Sequence, residues 1–235
     1  MTLSAFLSAI VLLAIGFVVL YLLSIYLKYR KSSYKDASGN SFLQILFDKR
    51  NYGEFLISSR LEKLERHHRL LTNVYLPKSD GSTTEIDILM IAETGIYVFE
   101  SKNYSGWIFG DEKGRNWTQV LENKQKNHFY NPVWQNNGHI TALKHATGLG
   151  NPELYRSYIV FSERCTLKKL SVNLPNVFVM KRDSLLRNVK LDMMSSPNVF
   201  EPEQVDRIYV KLMGFTHADS YTKSAHIDNV RSKIS

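Results

Sequence analysis

The chain has 235 residues, with 30 Lys and Arg against 22 Asp and Glu, and a single cysteine, Cys165. The lone cysteine excludes an intramolecular disulfide framework or a cysteine-rich zinc module, and the 12% of aromatic residues, with only 6 Pro and 12 Gly, excludes a disordered or low-complexity chain. The formal charge of +8 points toward a polyanionic partner only modestly, because four of the cations directly follow an apolar segment.

That segment comes first. Leu3 to Leu27 carries no charge, and as a helix it would span roughly 37 Å, more than the ~30 Å of a bilayer's hydrocarbon. Tyr21, Tyr26 and Tyr29 gather at its C-terminal end, as an aromatic belt would. The run is too long, and its front lacks the basic side chain, for a cleaved signal peptide. Residues 1–27 therefore read as an anchor entering the membrane through residues 3–27. Lys28, Arg30, Lys31 and Lys35 follow it, so the positive-inside rule predicts a single-pass protein of the cell membrane, N-terminus outside and C-terminal domain cytoplasmic.

Residues 28–50 read as a polar juxtamembrane linker with a short apolar patch from Phe42 to Phe47. The spacing of Phe55, Leu56, Leu61 and Leu64 predicts a helix from Tyr52 to about Leu70. Strands are expected at Arg69–Leu76, Thr84–Ala92 and Ile96–Lys102, the last two forming a hairpin across Glu93-Thr94-Gly95. Trp107–Phe109 and Trp117–Leu121 suggest a second hairpin. A helix should open at Asn131-Pro132 and stop at Gly148, followed by buried strands at Tyr158–Phe161 and Val177–Met180. Short helices are expected over Arg182–Val189 and Glu203–Met213, then a polar tail, 216–235. The fold class is α/β, a central mixed sheet flanked by helices.

Within two apolar runs sit Asp87, Glu100 and Lys102. Strand alternation puts Glu100 and Lys102 on one face, ~6.6–6.8 Å apart along the chain, and pairs Glu85 with Asp87 likewise. A carboxylate in a hydrophobic strand is costly unless paired or bound to metal. The spacing fits two arrangements, a salt bridge on an exposed edge strand or a divalent-metal site. In the second, Asp87, Glu100 and the Ser101 carbonyl offer hard oxygens suited to Mg²⁺, and Lys102 orients water or stabilises phosphoryl charge. The histidines show no paired metal spacing, His139 and His145 lying six apart. Trp107, Trp117 and Trp134 read mainly as packing. The segment Lys124 to Tyr130 interleaves basic and aromatic residues, fitting a solvated loop or a grip on phosphate and base.

Several segments, in order, resemble the nuclease-related domain, a branch of the PD-(D/E)xK nuclease superfamily. They are Tyr52-Gly53-Glu54, Glu85-Ile86-Asp87-Ile88-Leu89, the run Gly95 to Gly106, Trp117, and Asn131-Pro132-Val133-Trp134-Gln135-Asn136. The resemblance covers about residues 51–145 and implies a restriction-endonuclease-like domain, taken here as 51–215. It implies that Asp87, Glu100 and Lys102 form the catalytic core, that Glu54 completes the metal site, and that Gln135 lies near it. Ile86 stands where the superfamily's name has Pro, and Ser101 where many members carry Thr; neither change removes a ligand. The function so implied is a membrane-anchored nuclease using Mg²⁺ (or Mn²⁺) to hydrolyse phosphodiester bonds, with DNA favoured over RNA. The alternative is a catalytically inactive nucleic-acid-binding or scaffolding protein at the membrane.

Overall fold

A computed structural model describes residues 2–78 and 80–216. Four helices come first: α1 (Leu3–Lys31), α2 (Tyr34–Ser38), α3 (Phe42–Phe47) and α4 (Lys49–Leu61). Six strands follow, β1 (His68–Pro77), β2 (Thr83–Ala92), β3 (Gly95–Lys102), β4 (Gly106–Asp111), β5 (Asn116–Val120) and β6 (Lys126–Tyr130). The remainder comprises α5 (Pro132–Thr147), β7 (Tyr155–Phe161), β8 (Cys165–Ser171), β9 (Val177–Lys181), α6 (Leu185–Ser195) and α7 (Pro202–Met213). The expected tail lies, but for Thr216, outside the described residues.

Helix α1 is long and apolar enough to cross a membrane, and it continues past the expected anchor through Lys28, Arg30 and Lys31. Its outer part is bare of protein contacts, whereas Ile25 and Tyr29 near its end are buried against Tyr34, Ile45 and Phe55. The following residues are not the linker expected over 28–50. Ser41 and Gln44 form a capping box that starts α3, and Asp48 caps α4 by accepting the amides of Arg50 and Asn51. Tyr29 Oη donates to the Asn40 carbonyl at 2.8 Å, and Glu62 Oε1 accepts from the Ser33 amide at 2.9 Å. The apolar patch around Phe42 is thus the packing surface that joins α1 to the domain.

Helix α4 ends at Leu61, about nine residues short of the expected Leu70. Residues 62–67 form an irregular turn instead, and 68–70 belong to β1, whose Leu70 and Leu71 pair with Met90 and Leu89; a ladder against a buried neighbour outweighs helical periodicity. The main sheet has the order β1-β2-β3-β7-β9, antiparallel across β1, β2 and β3 and parallel from β3 through β9. Helices α4 and α6 cover one face, burying Ile57, Leu61, Leu185 and Val189 against Ile88, Phe99 and Tyr158. Helices α5 and α7 cover the other, burying Leu143 and Val205 against Leu89 and Val98.

A second sheet, β6-β5-β4-β8, was not foreseen as separate, and β8 was not foreseen at all. Its inner face packs Ile108, Trp117 and the buried Cys165 onto Ile159 and Phe161 of the main sheet. Trp117 stacks on Phe161 with centroids 6.1 Å apart. Trp107 and Trp134, by contrast, are each 40% exposed, so the packing role expected of all three tryptophans holds for Trp117 alone. Lys126–Tyr130, one of whose two expected readings was a loop, is an edge strand.

One irregularity shapes the site. Leu71 and Val74 share the α5/α7 core, as do Ile86 and Leu89, although residues three apart in a regular strand face opposite ways. The break falls at Asn73, whose φ is +52°, and at Asp87 across from it, a position skipped in the β1–β2 ladder. This switch sends Glu85 and Asp87 to the α4 side, whereas unbroken alternation would have kept Asp87 with Leu89.

Candidate active site

The site forms at the end of the main sheet, where the β2–β3 ladder stops at Ile88 and Phe99. Past that pair the strands part, and the Asp87 carboxylate fills the opening: its Oδ2 accepts the Ser101 amide at 2.9 Å. Ser101 itself stays in the ladder opposite Val160 of β7. Gly53 lets α4 approach here, since a Cβ at that position would lie 3.0 Å from Ser101 Oγ.

Two clusters meet at this opening, each organised by a cation. On the α4 side, Arg50 Nε donates to Glu54 Oε1 at 3.0 Å, and its Nη2 reaches Glu85 Oε2 at 2.8 Å and Asp87 Oδ1 at 2.9 Å. The other oxygen of Glu54 accepts from Tyr34 Oη at 3.2 Å, and Glu85 Oε1 accepts from Tyr75 Oη at 2.8 Å. On the α5 side, Lys102 Nζ donates to Glu100 Oε1 at 2.7 Å and to Gln135 Oε1 at 3.1 Å. His139 Nε2 lies 3.1 Å from Glu100 Oε2, and its Nδ1 lies 2.8 Å from Thr84 Oγ1.

All five expected residues, Glu54, Asp87, Glu100, Lys102 and Gln135, thus belong to one connected region. The arrangement differs from the expectation in one respect: Glu100 and Lys102 turn toward α5, whereas Asp87 turns with Glu54 toward α4, and the two groups come near each other only at the opening between the parted strands. Sequence reasoning missed Arg50, His139 and Tyr34. For the first two a signal was present, because Arg50 precedes Glu54 by four residues, as Gln135 precedes His139, and such pairs share a helix face. Nothing local marked Tyr34, which reaches the site only through the packing of α2.

The electrostatics follow from burial. Glu54, Asp87 and Glu100 are 0%, 4% and 2% exposed, while the Arg50 side chain is half exposed. Burial and the neighbouring Glu100 charge push Asp87 up to about 6, against the pull of Arg50. Burial and the Asp87 charge hold Glu54 well above the usual carboxylate range. Burial acts upward on Glu100 too, but the Lys102 charge and the His139 hydrogen bond outweigh it and bring it down to about 2. Lys102 is raised, the Glu100 charge overcoming the cost of burial.

Were all four buried carboxylates, Glu54, Glu85, Asp87 and Glu100, ionised, they would exceed the two permanent cations, Arg50 and Lys102, by two negative charges, and that repulsion joins burial in raising Glu54 and Asp87. Hard oxygens with that excess suit a divalent cation such as Mg²⁺. Among the described residues no three His, Cys, Asp or Glu side chains already enclose a metal position. Arg50 occupies the middle of its three carboxylates, so an ion would have to displace its guanidinium.

The nuclease-related domain profile matches residues 49–162, from the start of α4 to just past β7, and so takes in every residue named above except Tyr34. A protein of Bacillus anthracis, described as uncharacterised, is 33% identical over 184 residues, which cover 77% of this chain and 84% of that protein. No solved structure matches. With the ordered motifs, the mixed sheet and the clustered carboxylates all in hand, the chain belongs to the nuclease-related domain family, within the restriction-endonuclease-like superfamily.

Proposed function

We propose that this protein is a metal-dependent nuclease, held at the membrane by α1, that hydrolyses phosphodiester bonds of DNA on the cytoplasmic side. The observation that carries the reading is the cluster of four buried carboxylates against two permanent cations, one of which, Arg50, is half in solvent and paired to three of them. Family membership supports the nuclease class, and the cations after Leu27 support the orientation.

Asp87, Glu100 and the Ser101 carbonyl would hold a Mg²⁺ or Mn²⁺ ion, with Glu54 completing the set. Bound there, the ion supplies Lewis-acid polarisation of a phosphate and a more acidic water. Lys102 presents its ammonium to the developing phosphoryl charge, steadied by Gln135 Oε1. His139 fixes the Glu100 carboxylate between α5 and β3. Arg50, once displaced, remains tethered beside the site as a cation for a neighbouring phosphate.

A binding protein without turnover is the second reading, favoured by the pairing of each of these carboxylates with a protein cation. Incubating the full chain in detergent with DNA and Mg²⁺ or Mn²⁺ separates the two. Cleavage abolished by chelation, by Asp87→Ala and by Lys102→Ala supports the nuclease. Salt-sensitive binding of DNA without cleavage at any metal concentration supports the alternative.

A further inference from the structure

The second sheet presents a surface that neither the catalytic cluster nor the core uses. Its inner face is accounted for by Ile108, Trp117 and Phe129. Its outer face carries residues of the opposite parity. In one cross-strand row Trp107 is paired with Val120 and Val120 with Lys126. In the next, Thr118 is paired with His128, their side chains 3.1 Å apart, while Lys169 flanks the row from β8. A third row brings Tyr130 beside Asn116.

Trp107 and Tyr130 are 40% and 45% exposed, and Lys126, His128 and Lys169 are exposed as well. Trp134, 40% exposed, stands edge-on to Tyr130 with ring centroids 6.3 Å apart and is pinned by its Nε1 to the Glu112 carbonyl at 2.8 Å. Asp111, at the rim, is turned into its own loop, where Oδ1 accepts the Lys113 and Gly114 amides at 2.8 and 2.7 Å. The face therefore combines flat aromatic rings with positive charge. Strand spacing puts Trp107 and Tyr130 about 16 Å apart, two strands across and four residues along.

We propose that this outer face is a docking platform for single-stranded nucleic acid, bases stacking on Trp107, Tyr130 and Trp134 and phosphates pairing with Lys126, His128 and Lys169. A duplex keeps its base faces stacked internally, so exposed rings at this spacing select a single strand. The charge selects a polyanion over a neutral partner. The connections place the platform beside the site: Trp107 follows Lys102 by five residues and Gln135 follows Tyr130 by five, so each pair lies within ~18 Å. Aromatic rings with lysines also suit a bilayer interface. The direct run of both platform strands into Lys102 and Gln135 favours a ligand that continues into the site. The proposal rests on the nuclease reading for the class of ligand, not for its binding, which needs no turnover.

The test uses the full chain in phosphatidylcholine nanodiscs with EDTA, and a fluorescent oligothymidylate of about 12 nucleotides, inside the ~4–16 range of such sites. Fluorescence anisotropy should show the single strand bound more tightly than a duplex of equal length. Trp107→Ala and Tyr130→Ala should each weaken binding about 5- to 150-fold, the loss expected for one stacked base. Lys126→Gln should lower the slope of log affinity against log salt by about 0.7. Circular dichroism identifies a variant that fails to fold, in which case Lys126→Gln and Lys169→Gln carry the measurement. Equal binding by wild type and platform variants overturns the proposal, as does duplex preference, or a loss of binding to anionic vesicles but not to the oligonucleotide. If no metal supports cleavage yet the variants lose binding, the nuclease reading fails and the platform stands. If cleavage occurs but the variants bind as wild type does, the platform fails alone.

Discussion

Replacing Arg50 by Met keeps the aliphatic stem and removes the charge that three carboxylates share. Breaking a buried ion pair costs ~3–5 kcal/mol because the partner's charge stays behind. The Arg50 side chain is half exposed, so water screens part of the loss, and about 2–3 kcal/mol is expected for the metal-free protein. At ~2–4 °C per kcal/mol for a chain of this size, Tm should fall by about 5–10 °C in EDTA. Mg²⁺ should reverse the effect: at a hundred times its Kd a bound ion stabilises by ~2.7 kcal/mol, and in the variant it no longer competes with a guanidinium. Thermal denaturation with EDTA and with saturating Mg²⁺, together with calorimetric titration of the ion, makes the comparison. Equal loss of Tm in both conditions, with no gain in Mg²⁺ affinity, would refute the idea that Arg50 stands in for the metal.

Further expectations follow from the same geometry. Asp87 is raised to about 6, so between about pH 4 and that value the folded protein binds more protons than the unfolded chain and loses stability as pH rises. An ion that holds Asp87 ionised should therefore stabilise the protein much more at pH 7.5, about 1.5 units above that value, than at pH 5, and a pH-independent Mg²⁺ effect on Tm would contradict the assignment. Tyr34→Phe removes the hydroxyl that donates to Glu54 and that accepts from Asn40 Nδ2, and should cost ~1–3 kcal/mol, measured by chemical denaturation. His139→Ala should raise the Glu100 pKa from about 2, read by infrared or NMR titration of that carboxyl; an unshifted titration would show that His139 acts only in packing.

The parts of the molecule that were legible in advance are those whose signal is local. An uncharged stretch of 25 residues announces a long apolar helix, and alternating runs bounded by turn residues place strands to within a residue or three, as at Thr83–Ala92 and Gly95–Lys102. Asp87 and Glu100 drew notice because ionised groups do not belong in apolar strands. Edge strand β6 and strand β8 carry too little apolar alternation to declare themselves, since pairing with β5 and β4 is what makes them strands.

The remainder depended on contacts between distant segments. Local pattern pointed to a long apolar helix, a mixed sheet and a paired acid, acid and amine, because hydropathy and alternation are written residue by residue. Only the folded chain turned 34–47 from a tether into the packing that ties Tyr34 to Glu54, and seated Arg50 among three carboxylates. It also flipped the strand at Asp87 and set Trp107 in solvent while burying Trp117. Each of these outcomes is settled by which surfaces meet, and a side chain's partner across 20 or more residues leaves no trace in the spacing of its neighbours.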